Sequence, residues 1–235
     1  MSERSLTPAE NRLLAALPSD EYQRLFPNLE TVSLDLKQAL YEPREPIQYV
    51  YFPKRGVVVS LLAIMANRTI AEVGIVGNEG FVGLPVFLGA ETTPFRAIVQ
   101  IPGNAMRMKV DVFKDSINSG SSLPDLLHHY TYMLISQISQ SAACHSRRHS
   151  VAQRCCRWLL MNHDCVDSDQ FPITQEFLSQ MLSVRRASVT VVVGQLQKAG
   201  LLRHYRGQMT ILDRQGLEAV ACECYRLIKE EFDRF

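Results

Sequence analysis

The sequence predicts an α+β protein in three parts, and three observations carry that reading. Short runs rich in β-branched and aromatic residues, punctuated by Gly, Pro and Asn, fill residues 30–110. One apolar stripe at helical spacing follows from residue 122. Two helical segments and a short hairpin then occupy the last third. The expected divisions are 1–121, 122–145 and 146–235, and 235 residues are enough for more than one core.

The first stretch reads as two short helices. Thr7-Pro8-Ala9-Glu10 is a capping box with proline at the first helical position, and Leu13, Leu14 and Leu17 follow at helical spacing. Ser19-Asp20-Glu21 opens the second helix, which Pro27-Asn28 ends. Strands are expected at 31–36, 47–52, 57–64, 69–76, 95–101 and 105–110, which implies a sandwich or small barrel. No helix of useful length fits among them.

Ser122 can cap the next helix, with Pro124 just inside it and Asp125 favouring its positive end. Leu123, Leu127, Tyr130, Leu134 and Ile138 recur at i, i+4, i+7, i+11 and i+15, widened by Leu126 and Met133. Such a stripe must be buried, either on the chain's own β-rich part or on the same helix of a second subunit. The spacing alone leaves both open.

Beyond Phe171-Pro172-Ile173, Thr174 is a good N-cap, and Leu178, Met181 and Leu182 give a short helix one apolar side. Ser183-Val184 is a break of turn length. Val189, Val192, Val193 and Leu196 then recur at i, i+3, i+4 and i+7, and Gly200 is placed to end the second helix. Its other face shows Arg186, Ala187, Thr190 and Val191, with Ser188 beside them. Arginine can pair bidentately with guanine, while threonine and alanine suit the thymine methyl. Residues 201–205 and 208–212 flank Arg206-Gly207, a turn between two strands. Helix, turn, basic helix, Gly stop and hairpin in this order describe a winged helix-turn-helix, which reads the major groove. Base readout is therefore expected from Arg186, Ala187, Ser188, Thr190 and Val191, and phosphate contact from Thr174, Gln175, Arg185 and Arg206. The plain alternative is an ordinary helical hairpin with a solvated arginine pair.

Whole-chain charge is +1, but its distribution is uneven. Residues 146–206 carry nine Lys/Arg against four Asp/Glu, whereas the flanking segments are slightly acidic. The N-terminus has no apolar signal core, and the longest apolar run, around 57–66, falls far short of the ~20 residues of a membrane span. A cytoplasmic protein without membrane contact is expected. The six cysteines, at 144, 155, 156, 165, 222 and 224, form no CxxC and read as reduced structural thiols. Cys222 and Cys224 are expected on different helical faces and inert. His145 and His149, i and i+4 with Cys144 adjacent, read as a polar helix end, so no metal site is expected. All six histidines lie at or after His128, outside the β region, which removes the histidine–carboxylate triad of a metal-binding β-barrel enzyme. No Ser/His/Asp pattern or P-loop is present, so no catalytic residue is assigned and no enzyme is expected.

Across nearly its whole length the chain resembles the Crp/Fnr family of bacterial regulators. The segment 174–202 matches that family's helix-turn-helix. Gly80-Phe81-Val82-Gly83-Leu84 and Phe95-Arg96-Ala97 fall where its β-roll carries a phosphate-binding cassette. The resemblance implies an N-terminal double-stranded β-helix (a jelly roll of the cyclic-nucleotide-binding kind) acting as sensor, then a dimerisation helix, then a winged domain. It implies a homodimer on a pseudo-palindromic double-stranded DNA site, RNA polymerase as a further partner, and effector control through the β-roll. Gly80, Phe81, Val82, Gly83, Leu84, Arg96 and Ala97 would line the effector pocket, and Leu123, Leu127, Tyr130, Leu134 and Ile138 would form the dimer helix seam.

The departures from the family pattern are specific. Phe81 stands where cyclic-AMP-binding members have an acidic residue, and Arg96 is displaced by one column, so cyclic AMP is not the expected effector. No cysteine precedes Cys144, which excludes an N-terminal iron–sulfur cluster. No cofactor is required and the effector stays open. Arg186 keeps the leading arginine of the recognition helix, but Ala187 and Val191 replace a glutamate and a second arginine, so the half-site should differ. The competing reading is a ligand-sensing or interaction protein whose winged domain contacts protein. The tail after Asp213, with Leu217, Val220, Ala221, Tyr225 and Ile228, is expected to pack on the winged domain.

Overall fold

The computed structural model describes residues 10–66, 69–117, 120–145 and 149–234. Residues 7–9 of the expected capping box lie outside that set. Helix α1 (Arg12–Ala15) is started by Asn11, whose Oδ1 accepts from the Leu14 amide at 3.1 Å. The same buried side chain donates to the carbonyls of Pro53 and Gly80, at 2.9 and 2.8 Å, and so ties the N-terminus to the β domain. Helix α2 (Ser19–Leu25) runs into a 3-10 turn at Phe26–Asn28, where Pro27 prevents continuation.

The β domain comprises β1 (Glu30–Leu34), β2 (Ala39–Tyr41), β3 (Tyr49–Pro53), β4 (Val58–Ile64), β5 (Ile70–Val76), the short α3 (Leu84–Phe87), β6 (Phe95–Ile101), β7 (Gly103–Lys109) and α4 (Val110–Ile117). Two antiparallel sheets, ordered β1-β7-β3 and β2-β6-β4-β5, face each other. Strand β2 is not visible in the sequence pattern: it has three residues, between turns that put Lys37 and Arg44 at φ of 67° and 66°. Val110, expected to end a strand, instead begins α4.

Helix α5 (Leu123–His145) follows, then α6 (Val151–Cys165), which Ser150 and Gln153 open with a reciprocal capping box. The last third contains β8 (Gln170–Pro172), α7 (Gln175–Met181), α8 (Arg186–Lys198), β9 (Leu202–Tyr205), β10 (Gln208–Ile211), α9 (Arg214–Val220) and α10 (Cys224–Asp233). Strands β8, β10 and β9 make the wing sheet in that order.

The chain has two principal cores. The first fills the roll and takes in α1 and the expected stripe of α5: Leu123, Leu127, Tyr130 and Leu134 are all buried there, and Ile138 packs against the same cluster. This corrects the assignment of the dimer seam, because a stripe spent on the chain's own roll has no face left for a second subunit. The outward face of α5 is instead formed by His128, Tyr132, Ile135, Ser139 and Ala142, at alternating steps of four and three. Tyr132 and Ile135 stand 60% and 53% exposed.

The second core joins the outer face of β4, β5 and β6 (Val58, Leu62, Ile75, Ile101) to α6 and the winged elements. Polar groups run along the same contact. Trp158 Nε1 donates to Glu72 Oε1 at 2.6 Å, Asn162 meets Gln100, and the Gly56 amide donates to the Cys165 carbonyl at 3.0 Å. The apolar tail residues Leu217, Val220, Ala221, Tyr225 and Ile228 join this second core as expected. The tail breaks at 221–223 into two helices, of which α9 lies on α6 while α10 packs against both α6 and α5. Among the described residues, no helix is long and apolar enough to cross a membrane.

Candidate nucleic-acid interface

Thr174 Oγ1 accepts from the Phe177 amide at 3.1 Å and caps α7. Ser183 adopts φ of 51°, the left-handed conformation of the tight turn, and the Val184 amide closes on the Ser179 carbonyl at 3.0 Å. Helix α8 buries Val189, Val192, Val193 and Leu196 and ends at Gly200, with φ of 74°. Its opposite face exposes Arg186, Ala187, Thr190 and Val191, while Ser188 is half-buried. Val191 is 59% exposed, an apolar side chain held out on a helix whose inner face is already filled. Arg185 is exposed at the N-cap. At the wing tip Arg206 and Gly207 have φ of 48° and 76°, positive at both central positions as a type I′ turn requires. The Arg206 guanidinium lies 5.1 Å from the Tyr205 ring centroid. All nine expected DNA-contacting residues therefore sit on α7, α8 or the wing, and Ser188 is the one base-readout candidate turned partly inward.

Two contacts within the interface were not legible in sequence. The Thr190 hydroxyl donates to Gln175 Oε1 at 2.7 Å, and Arg186 Nε lies 3.9 Å from Glu176 Oε2. Gln175 and Glu176 were visible as first-turn residues of α7, but their reach to α8 depends on how the two helices cross. The basic surplus also divides. Arg154 and Arg157 are buried, Arg154 donating to the Leu182 carbonyl at the end of α7 and Arg157 to Ser141 Oγ. They support the fold and do not face phosphate; Arg147 and Arg148 lie outside the described residues, and Arg185, Arg186, Lys198, Arg203 and Arg206 are exposed around the interface.

The residues expected to line an effector pocket are arranged otherwise. Phe81 is buried among Phe52, Phe113 and Tyr130, with ring centroids 5.8, 5.7 and 5.6 Å away. Val82 and Ala97 are also buried in that core, and Leu84 packs against it. The two glycines have packing reasons. A Cβ on Gly80 would come within 2.0 Å of the Tyr130 ring, and Gly83 combines φ of 133° with a Cβ position 2.6 Å from Val50. Arg96 is held by Glu42, with Nε to Oε2 at 2.7 Å. The cassette position is thus filled by aromatic core, and its one cation is already paired.

A further cluster contradicts the expectation that Cys222 and Cys224 diverge. The two do not share one helix: Cys222 lies in the break between α9 and α10, and Cys224 begins α10. The chain there turns both thiols toward Cys144, at the end of α5, and toward His149 in the connector to α6. Cys144 Sγ is 3.4 Å from both Cys222 Sγ and His149 Nδ1, and Cys224 Sγ is 3.8 Å from His149 Nδ1. The side chain of His145 lies outside the described residues. All six cysteines are free and buried.

Residues 153–220 match the Crp-like helix-turn-helix domain. No curated protein matches the chain. Among solved structures, a transcriptional regulator of the Crp/Fnr family from Eubacterium rectale is 14% identical, with a TM-score of 0.68 over 90% of this chain and 98% of that one. A CRP-family transcriptional regulator from Thermus thermophilus, TTHB099, is 15% identical, with a TM-score of 0.67 over 81% and 96%. FixK2 from Bradyrhizobium japonicum is 15% identical, with a TM-score of 0.66 over 83% and 98%. The fold is that of Crp/Fnr-type transcription regulators. Its last third carries a Crp-like helix-turn-helix domain.

Proposed function

We propose that this protein is a sequence-specific DNA-binding transcription regulator that works as a homodimer. The observation that carries the reading is the outer face of α8, where Arg186, Ala187, Thr190 and Val191 stand exposed beside the Arg206 wing tip. The dimer is supported by the second face of α5. The 4-3-4-3 spacing of His128, Tyr132, Ile135, Ser139 and Ala142 is the repeat of a helix-on-helix seam, and its two large members are exposed. Two-fold symmetry through that seam would place the recognition helices ~34–36 Å apart, about 10–10.5 bp, on a pseudo-palindrome.

Arg186 is assigned base readout, with Ala187, Thr190 and Val191 around it and Ser188 in a minor role. Thr174, Gln175, Arg185 and Arg206 are assigned to phosphate. RNA polymerase is the further partner and the cytoplasm the site of action. The filled cassette and the Glu42–Arg96 pair support a β-roll that functions without cyclic AMP.

The test is selection from random duplexes by the purified protein at fixed, near-physiological salt, without added ligand. An enriched two-fold-symmetric motif is expected. Ile135→Glu, on an exposed position, should yield monomers by light scattering and lose that motif while keeping its helical content. A dimeric Ile135→Glu variant that selects the same motif would place the seam elsewhere.

A further inference from the structure

We propose that Cys144, His149, Cys222 and Cys224 form a closed tetrahedral site for one Zn2+ ion, at the junction of the long helix and the winged unit. The four donor atoms lie within 4.8 Å of one another. Tetrahedral zinc with Zn–S of ~2.3 Å and Zn–N of ~2.0–2.1 Å requires sulfur–sulfur edges of about 3.8 Å and sulfur–nitrogen edges of about 3.6 Å. The structure shows 3.4 Å for Cys144 to Cys222, 3.4 Å for Cys144 to His149 and 3.8 Å for Cys224 to His149. A disulfide needs about 2.0 Å and would use only two of the four groups. An iron–sulfur cluster spreads its four ligands over two or four irons and needs a wider frame.

The surroundings complete the site. His149 turns Nδ1 to the sulfurs, while its Nε2 lies 3.2 Å from Glu223 Oε1. That outer carboxylate holds the Nε2–H tautomer and leaves the Nδ1 lone pair for a metal, the usual carboxylate–histidine–zinc arrangement. Three thiolates, a neutral imidazole and Zn2+ sum to one negative charge. Arg154 and Arg157 are buried close enough for their charges to act on the cysteines, and neither makes an ion pair among the described residues. An anionic metal centre would add counter-charge beside these two buried guanidiniums. Thiolate and imidazole donors with no carboxylate ligand select zinc over magnesium or calcium.

The ion would draw together three stretches of chain: the end of α5, the connector to α6, and the break between α9 and α10 with the first residue of α10. It would hold α10 against α5 and fix where the winged unit leaves the long helix.

The experiment uses the full chain, purified under reducing conditions, loaded with Zn2+ and desalted before elemental analysis. Cobalt-substituted protein is examined by absorption. About one zinc per chain is expected, with the thiolate charge-transfer band and intense visible bands of four-coordinate cobalt. Cys224→Ser and His149→Ala should each weaken zinc binding by roughly 100-fold or more, and Glu223→Gln by roughly 10–100-fold. Cys156→Ala, outside the cluster, should bind as wild type. Because Glu223 is mostly exposed, its variant tests the site without disturbing the core. Well-folded wild type that retains no stoichiometric zinc, zinc that survives in Cys224→Ser and His149→Ala alike, or weak six-coordinate cobalt spectra would each overturn the proposal. None of these readouts involves DNA, so they stand apart from the function proposed above.

Discussion

The β-roll cassette and the recognition helix both lie where the family pattern puts a ligand-facing surface, and the two have been built in opposite ways. In the cassette, Phe81, Val82 and Ala97 are core residues, the two glycines make room for Tyr130 and Val50, and Arg96 is paired with Glu42. On α8 the inner face is packed with Val189, Val192, Val193 and Leu196, while Arg186, Ala187, Thr190 and Val191 are left out in solvent. A motif's place in a fold says where a surface could be; burial and pairing of its side chains say whether it is one. The cassette is packed as core, and the outer face of the helix stands free for the contact proposed above.

Paired substitutions sharpen that contrast. Phe81→Ala removes the centre of an aromatic cluster and should cost ~3–5 kcal/mol in denaturant unfolding, with the selected DNA motif unchanged. A Phe81→Ala protein of wild-type stability that gained cyclic nucleotide affinity would break the comparison. Arg186→Ala should do the reverse: ~1–3 kcal/mol lost at one base pair in binding titrations, and stability within about 0.5 kcal/mol of wild type. An equal loss on every duplex sequence would make Arg186 a phosphate contact.

Glu72 tests the junction between the two regions by pH. Burial pushes its carboxyl up to about 7, against the lowering effect of hydrogen bonds that include the one from Trp158 Nε1. With the folded-state value raised, its contribution to stability is present below the ordinary carboxyl range and is lost as pH rises through about 7. The melting temperature of wild type minus that of Glu72→Gln should therefore decline from pH 4.5 to pH 7.5; a flat difference would mean that Glu72 titrates normally. The smallest effect is expected at Glu176, whose exposed carboxylate sits near Arg186. Glu176→Gln should tighten DNA binding by about 0.2–1 kcal/mol at low salt, fading as salt is raised.

What the sequence made legible followed local periodicity. The Val189–Leu196 spacing, the Ser183 turn, the Gly200 stop and the Arg206-Gly207 wing are all decided within a few residues, and each is found in place. What it left hidden depends on contacts distant in the chain. The α5 stripe could serve either a roll or a partner, and only the packed roll chooses between them. The Cys144–Cys222 proximity spans 78 positions, and a break in the tail, invisible as a pattern, brings Cys222 and Cys224 to the same point. The two side-chain contacts between α7 and α8, Thr190 to Gln175 and Arg186 to Glu176, wait on the crossing of two helices for the same reason.

The contact between α6 and the outer face of the roll bears on how the molecule comes apart. Trp158 with Glu72, and Asn162 with Gln100, lie within a hydrophobic core that takes residues from both regions. Separating them would strand desolvated polar groups at the same moment as it bared apolar surface. Three segments that read as separate domains in the sequence should therefore share one heat-absorption peak in calorimetry. Their slowest-exchanging amides, in β4, β5 and α6, should open together as a single unit.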